Sequence, residues 1–261
     1  MRLAFSTEYD GSYFSGFQKQ KNATSVQQTI EEALKEITKE KISINYAGRT
    51  DAGVHALAQV FDFETEIQRD DDNWIKGMNS NLPDSISIRS IRRVPDDFHS
   101  RFSAKDRSYT YVIYNSKTKP LFFGGMAHWD DNKIDIGVLR QQAEMFIGTH
   151  DFSSFRSSNC SSRNPTKNLS KVEVDTHKDF IFITIKANAF LHNMVRIITG
   201  TLLDIAKGEL ELSVKEILLK GDRKYAGKTA SAKGLFFLGP SYESSYKIPT
   251  PTSNLLDRLK S

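Results

Sequence analysis

Apolar residues recur along the chain at two periods. Where they return every second position a strand is expected, and where they return every third or fourth a helix. Residues 3–9 alternate as a strand and run into the turn signal Asp10-Gly11-Ser12. Ser25-Val26-Gln27-Gln28 reads as a capping box, after which Val26, Ile30, Leu34 and Ile37 line one helical face. A strand follows over 57–63. The acidic start of 70–81 suits a helix N-terminus, and Trp74, Met78 and Leu82 recur at helical spacing until Pro83 stops the run. Residues 86–94 predict another strand.

A second series begins near Arg107. Tyr109, Tyr111 and Ile113 share one face of a strand over 109–114. Residues 135–147 predict a helix that Gly148 can end. Residues 171–175 and 180–186 suit a hairpin around His177-Lys178-Asp179, and 190–207 a long helix ending at Gly208. Ser213-Val214-Lys215-Glu216 caps a short helix that stops at Gly221, 235–238 supplies a last strand, and 250–261 reads as a loose polar tail. Both halves run strand, helix, strands and a further helix, without a sequence repeat. The expected class is α/β in the α+β sense, two lobes with helices on one face of each sheet and a cleft between them as a ligand site. The boundaries are 1–105, 106–245 and a tail over 246–261.

The chain has 261 residues, 38% hydrophobic and 26% charged, which is ordinary for a globular protein of one or two domains. Its longest apolar runs, such as 181–185, are too short to span a bilayer, and the N-terminal residues lack signal-peptide architecture. A single cysteine, Cys160, cannot form an internal disulfide and fits the cytoplasm. No Cys/His spacing suggests zinc, no loop matches a P-loop, and no GxGxxG follows a strand. Net charge is +4 and the pI about 8.9. Lys and Arg cluster at Lys19/Lys21, Arg89/Arg92/Arg93, Arg101/Lys105/Arg107, Arg156/Arg163/Lys167 and Lys220/Arg223/Lys224/Lys228, with Phe14, Phe17, Phe98, Phe102, Tyr109 and Phe155 interleaved. Basic residues with aromatic neighbours suit a nucleic-acid surface, and equally a solvated face over a core.

The densest chemistry lies in Gly48-Arg49-Thr50-Asp51-Ala52-Gly53-Val54-His55-Ala56. One carboxylate sits between two glycines that let backbone turn tightly and approach a ligand. No second carboxylate and no Ser or Cys nucleophile lies nearby, so Asp51 reads as a nucleophile rather than half of an acid/base pair. Arg49 can hold that carboxylate or grip a phosphate.

Several segments together resemble the tRNA pseudouridine synthase A (TruA) family. They are Tyr9-Asp10-Gly11-Ser12-Tyr13-Phe14-Ser15-Gly16-Phe17-Gln18 with Ser25-Val26-Gln27, the Asp51 loop over 47–56, and Phe98-His99-Ser100-Arg101-Phe102-Ser103-Ala104 leading to Tyr109-Thr110-Tyr111. Asp151-Phe152-Ser153-Ser154-Phe155 and Asn188-Ala189-Phe190-Leu191-His192-Asn193-Met194-Val195-Arg196 extend the match over roughly residues 1–245. The resemblance implies the two-lobed pseudouridine synthase fold, with a mixed or antiparallel sheet in each lobe and the active site in the cleft. It also implies a homodimer without metal or cofactor that isomerises uridine to pseudouridine at positions 38, 39 and 40 in the anticodon stem-loop of tRNA. Asp51 falls at the family's nucleophile, Tyr109 at the tyrosine that stacks on the target base, and Arg49 and Arg196 at the arginines near the aspartate.

That reaction breaks a C–N glycosidic bond and makes a C–C bond with all atoms retained. The carboxylate can attack C1′, stabilise the sugar cation, or take the C2′ proton. Arg196, expected on a helix of the other half, is placed to keep Asp51 ionised across the cleft. Tyr109 offers a face for uracil and a hydroxyl for the C5 proton, while Tyr111 is the clearer core residue. Arg49 either pairs with Asp51 or fills the gap left by a flipped uridine. His55 is expected to be buried and bonded to backbone, His99 and His192 to be structural or phosphate-facing, and Arg156, Arg163 and Lys167 to clamp the tRNA backbone. A plain RNA-binding protein would not need Asp51 in such a loop, and a nucleoside hydrolase would need a second carboxylate.

Overall fold

The computed structural model describes residues 1–249. In chain order the elements are β1 (Arg2–Tyr9), α1 (Val26–Thr38), β2 (Asn45–Tyr46), β3 (His55–Glu64), α2 (Asp71–Asn81), β4 (Ile86–Val94), β5 (Asp106–Asn115) and β6 (His128–Asp130). There follow α3 (Ile136–Glu144), β7 (Gly148–Asp151), β8 (Thr166–His177), β9 (Phe180–Ala187), α4 (Met194–Ala206), α5 (Val214–Lys220) and β10 (Leu235–Ser241). The class is mixed α/β, as expected. Two compact units form, one from residues 1–107 and 236–249, the other from 108–235. The first boundary lies two residues from the expected one. The last strand, assigned to the C-terminal lobe from sequence, belongs to the first unit.

In the first unit the strand order is β4-β1-β3-β10, with β2 also on β3. β1 is antiparallel to both neighbours, pairing Phe5 with Phe61 and with Ile91. β10 is parallel to β3, pairing Phe236 with His55. One face of the sheet is aromatic: Phe5 stacks on Phe61 and Phe63, and Trp74 of α2 meets Phe5 and Phe63 edge-on. A separate cluster gathers Ala4, Ala47, Val60, Val94 and Phe98, against which Tyr242, Tyr246 and Ile248 pack. The expected polar tail therefore starts with residues that help to cover this core; 250–261 lie outside the described residues. Ser25 caps α1 by accepting the Gln28 amide, but the Gln28 side chain turns to Glu32, so only half of the predicted box forms.

In the second unit the order is β5-β9-β8-β7, with β6 parallel to β5. The hairpin of β8 and β9 turns at Lys178-Asp179, as its sequence suggests, and pairs His177 with Phe180. α4 is almost wholly buried, and α3 packs against it and against β8. Two helices differ from expectation. α3 ends at Glu144 rather than near Ile147, because the amides of Met145, Phe146 and Ile147 bond three residues back, tightening the last turn. α4 begins at Met194, not Phe190. Asn193 adopts a left-handed conformation (φ 60°) that cannot continue a right-handed helix, and Asn tolerates it better than most residues. The capping box at Ser213 and Glu216 forms completely.

Candidate active site

In the first unit the segment 48–54 links β2 to β3 with no regular structure of its own, yet Gly48, Thr50, Asp51 and Val54 are each held by a hydrogen bond. Gln59 of β3 donates to the Gly48 carbonyl at 2.7 Å. The Phe17 amide donates to the Thr50 carbonyl at 3.0 Å, and the Tyr9 hydroxyl lies 2.7 Å from the Thr50 hydroxyl in a buried contact. The Val54 amide closes a turn on the Asp51 carbonyl at 3.1 Å, with Gly53 at φ 78° completing it. Gly11 brings the neighbouring backbone so close that a Cβ there would stand 2.0 Å from the Val54 carbonyl oxygen. Asp51 is half-buried at the crest of this loop.

Arg49 is exposed and makes no hydrogen bond or ion pair with another described residue, so pairing with Asp51 is not its role in this conformation. His55 is buried, as expected. Its Nδ1 accepts the Gly11 amide at 3.2 Å, lies 3.1 Å from an Asp10 carboxylate oxygen, and its ring stacks on Phe236. That geometry makes it a clamp on the loop. Sequence reasoning assigned no role to Tyr9 or Gln59, and in strands that carry several other polar residues no local signal marks them. Burial pushes the Tyr9 phenol above its ordinary range, against the hydrogen bonds to Thr50 and Gln59, so it stays neutral.

In the second unit Tyr109 stands on β5, only 9% exposed, with its ring edge-on to Phe190 at 5.0 Å. Tyr111 is fully buried, as expected of a core residue, and its hydroxyl donates to the Ser231 carbonyl at 2.8 Å. Burial raises the Tyr111 phenol, with the Arg196 charge opposing that rise, which places Arg196 close by. Arg196 lies in the first turn of α4. Its Nε donates to the Ala230 carbonyl at 2.8 Å and its Nη1 to the Asn193 side chain at 2.9 Å. The Ala230 amide returns to the Arg196 carbonyl at 3.0 Å. This segment runs tightly along the helix because Gly200 has no Cβ, which would stand 1.7 Å from the Lys228 carbonyl oxygen.

The other candidates part company. Lys167 is buried and donates to the Thr166 and Asn164 carbonyls, and burial lowers its pKa, so it braces its own loop instead of reaching a phosphate. Arg156 bonds the Cys160 carbonyl, while Arg163 is exposed. The Ser157 hydroxyl meets His192 Nδ1 at 2.7 Å, and the Cys160 sulfur accepts the His192 amide. His99 Nδ1 accepts the Arg101 amide. Of the six aromatics interleaved with basic clusters, five are buried. Among the described residues no group of three or more His, Cys, Asp or Glu is placed to hold a metal ion.

A family model described as tRNA pseudouridine synthase matches residues 6–103 and 142–243. The chain is 43% identical over 251 residues to tRNA pseudouridine synthase A of Aliivibrio fischeri (strain MJ11), covering 95% of both chains. It is 43% identical over 251 residues to the protein of that name from Shewanella frigidimarina, covering 95% of this chain and 96% of the other. Against that of Escherichia coli O1:K1 it is 42% identical over 252 residues, covering 96% and 93%. A chain from a crystal structure of a Cbf5-Nop10-Gar1 complex overlaps at TM-score 0.39 and 9% identity, covering 92% of this chain and 51% of that one, too low a likeness to support a conclusion.

Proposed function

The chain belongs to the tRNA pseudouridine synthase family, whose members are isomerases, and from that premise we propose that it converts uridine to pseudouridine at positions 38, 39 and 40 of the tRNA anticodon stem-loop, with Asp51 as the nucleophile. The observation that carries the reading is Asp51, half-buried in a loop that Tyr9 holds at the Thr50 hydroxyl and that Phe17 and Gln59 hold at its backbone. A nucleophile that must meet one sugar carbon gains most from such preorganisation.

The C1′–N1 bond breaks, the uracil turns, C1′ bonds to C5, the C5 proton leaves and N1 takes a proton. Atoms balance without a donor or oxidant, so the chemistry calls for no cofactor. Asp51 keeps the ribose engaged while the base is detached. Tyr109 offers its ring face to the uracil. Arg49, exposed and unpaired with other described residues, occupies the place of the flipped uridine in the stem, offsetting part of a cost of a few kcal/mol. Arg196, fixed by Ala230 and Asn193, supplies positive charge for the carboxylate. The protein acts as a homodimer in the cytoplasm, a reading that rests on the family; no helix among the described residues is long and apolar enough to cross a membrane.

The test is incubation of the pure protein with unmodified tRNA tritiated at uridine C5, with nothing else added. Tritium should enter water while no free uracil appears. Release of uracil would make the enzyme a hydrolase, and no release of either would end the proposal.

A further inference from the structure

Phe102 is the one interleaved aromatic that the fold leaves open, at 74% exposed. Its ring is held in place: the His99 ring lies against it at 4.4 Å, and the Arg101 guanidinium carbon stands 5.4 Å from its centre. The loop beneath is closed on itself. The Ser103 amide donates to the His99 carbonyl at 2.9 Å, and the His99 amide to the Ser103 hydroxyl at 3.0 Å. Its base is anchored at Ser100, whose amide donates to the fully buried Asp62 carboxylate at 2.7 Å and whose carbonyl accepts the Tyr242 hydroxyl at 2.7 Å. The Arg107 guanidinium then donates to the carbonyls of Arg101, Ala104 and Ala47. Ala47 immediately precedes Gly48, so one side chain ties the Phe102 loop to the Asp51 loop within the first unit.

We propose that Phe102 is a stacking platform for an unpaired nucleobase of the tRNA flanking the uridine presented to Asp51. The proposal rests on the reading of the chain as a tRNA-modifying enzyme and adds a contact to it. Any base offers a π face, so stacking tolerates sequence, as an enzyme serving three adjacent positions requires. A ring already fixed by its neighbours loses little freedom on binding. Arg101 is exposed, and among the described residues its guanidinium has no carboxylate partner, so its charge is open to the phosphates that accompany a base. That charge favours RNA over an apolar protein segment as the occupant.

The experiment compares wild type with Phe102→Ala, Phe102→Leu and Phe102→Trp, measuring tritium release from C5-tritiated tRNA and equilibrium binding of the same tRNA. The Ala and Leu variants should raise KM and Kd on the order of ten-fold, as loss of one base stack implies. Their kcat should stay within about two-fold of wild type, and the Trp variant should match wild type throughout. Arg101→Ala should reduce the slope of log Kd against log salt by about 1, whereas Phe102→Ala leaves it unchanged. Unchanged constants for Phe102→Ala overturn the platform, as does Phe102→Leu behaving like wild type, which would mean apolar docking. Should wild type release no tritium, the functional reading falls separately; tRNA binding then decides, and equal Kd for Phe102→Ala and wild type overturns the platform.

Discussion

In the first unit the candidate carboxylate rides on a loop, whereas in the second the candidate aromatic and guanidinium ride on a strand and a helix. Asp51 owes its place to hydrogen bonds made by the backbone around it and to the close approach of Gly11. Tyr109 and Arg196 owe theirs to the elements that also form the core of their unit, with α4 buried over most of its length. Positioning and stability are therefore separable around Asp51 and inseparable around Arg196. A loop held by several independent anchors can lose one and shift without unfolding; a helix pressed onto its neighbour cannot.

The sharpest break between the two comes at the glycines. Gly200→Ala puts a methyl 1.7 Å from a backbone oxygen between α4 and the segment at Lys228. It should destabilise the second unit by about 3 kcal/mol or more, read as a shifted denaturation midpoint; an unshifted midpoint would show the contact to be loose. Gly11→Ala, with its Cβ 2.0 Å from the Val54 carbonyl oxygen, should push the Asp51 loop aside instead. Its kcat should fall on the order of 100-fold, with a smaller loss of stability than Gly200→Ala. Equal instability in the two variants would erase the distinction.

Tyr9→Phe removes a single anchor. It leaves the buried Thr50 hydroxyl without that partner, which should cost about 1 kcal/mol of stability and lower kcat several-fold at unchanged Kd for tRNA. A wild-type kcat would mean that the other anchors suffice.

The smallest effect is in pH. Burial lowers the His128 pKa and the Lys207 charge adds to it, outweighing the pull of Asp130. The unfolded chain therefore binds more protons than the folded one as pH falls, so this contribution is present above about 6.5 and is lost below it. Asp130 is lowered too: its hydrogen bonds from Asn132 and Lys207 outweigh burial, which places its loss of stability at still lower pH. Trp74 and Trp129 lie one in each unit and are the only tryptophans, so single-Trp variants can follow the units separately. Lowering pH from 7.5 to 5.5 should shift the Trp129 transition more than the Trp74 transition, and His128→Asn should remove the excess.

Much of the first unit is legible in its runs of strand-forming residues: β4 matches its predicted span, β1 exceeds its span by one residue and β3 by three. Elements fixed by partners distant in sequence are not. β2, β6 and β7 have two to four residues each, too few to show a period, and the parallel pairing of β10 with β3 depends on chain reversal that no local pattern records. The same holds for the site. The Asp51 motif announces itself by residue type, but Gln59, Tyr9 and Arg107 act on it from 8, 42 and 56 positions away, roughly half a domain of chain in the last two cases. The aromatic clusters misled for a related reason: the cover comes from elsewhere in the chain, as Tyr242 and Tyr246 cover Phe98 and Phe190 packs against Tyr109.

On the proposed reading the Asp51 carboxylate itself carries the reaction while the rest of its loop only presents it. Asp51→Asn keeps the size of the side chain and removes its charge and its nucleophilic oxygen. Tritium release from C5-labelled tRNA should then fall by roughly a thousand-fold or more, with the Kd for tRNA within about three-fold of wild type. Release at the wild-type rate would contradict the account.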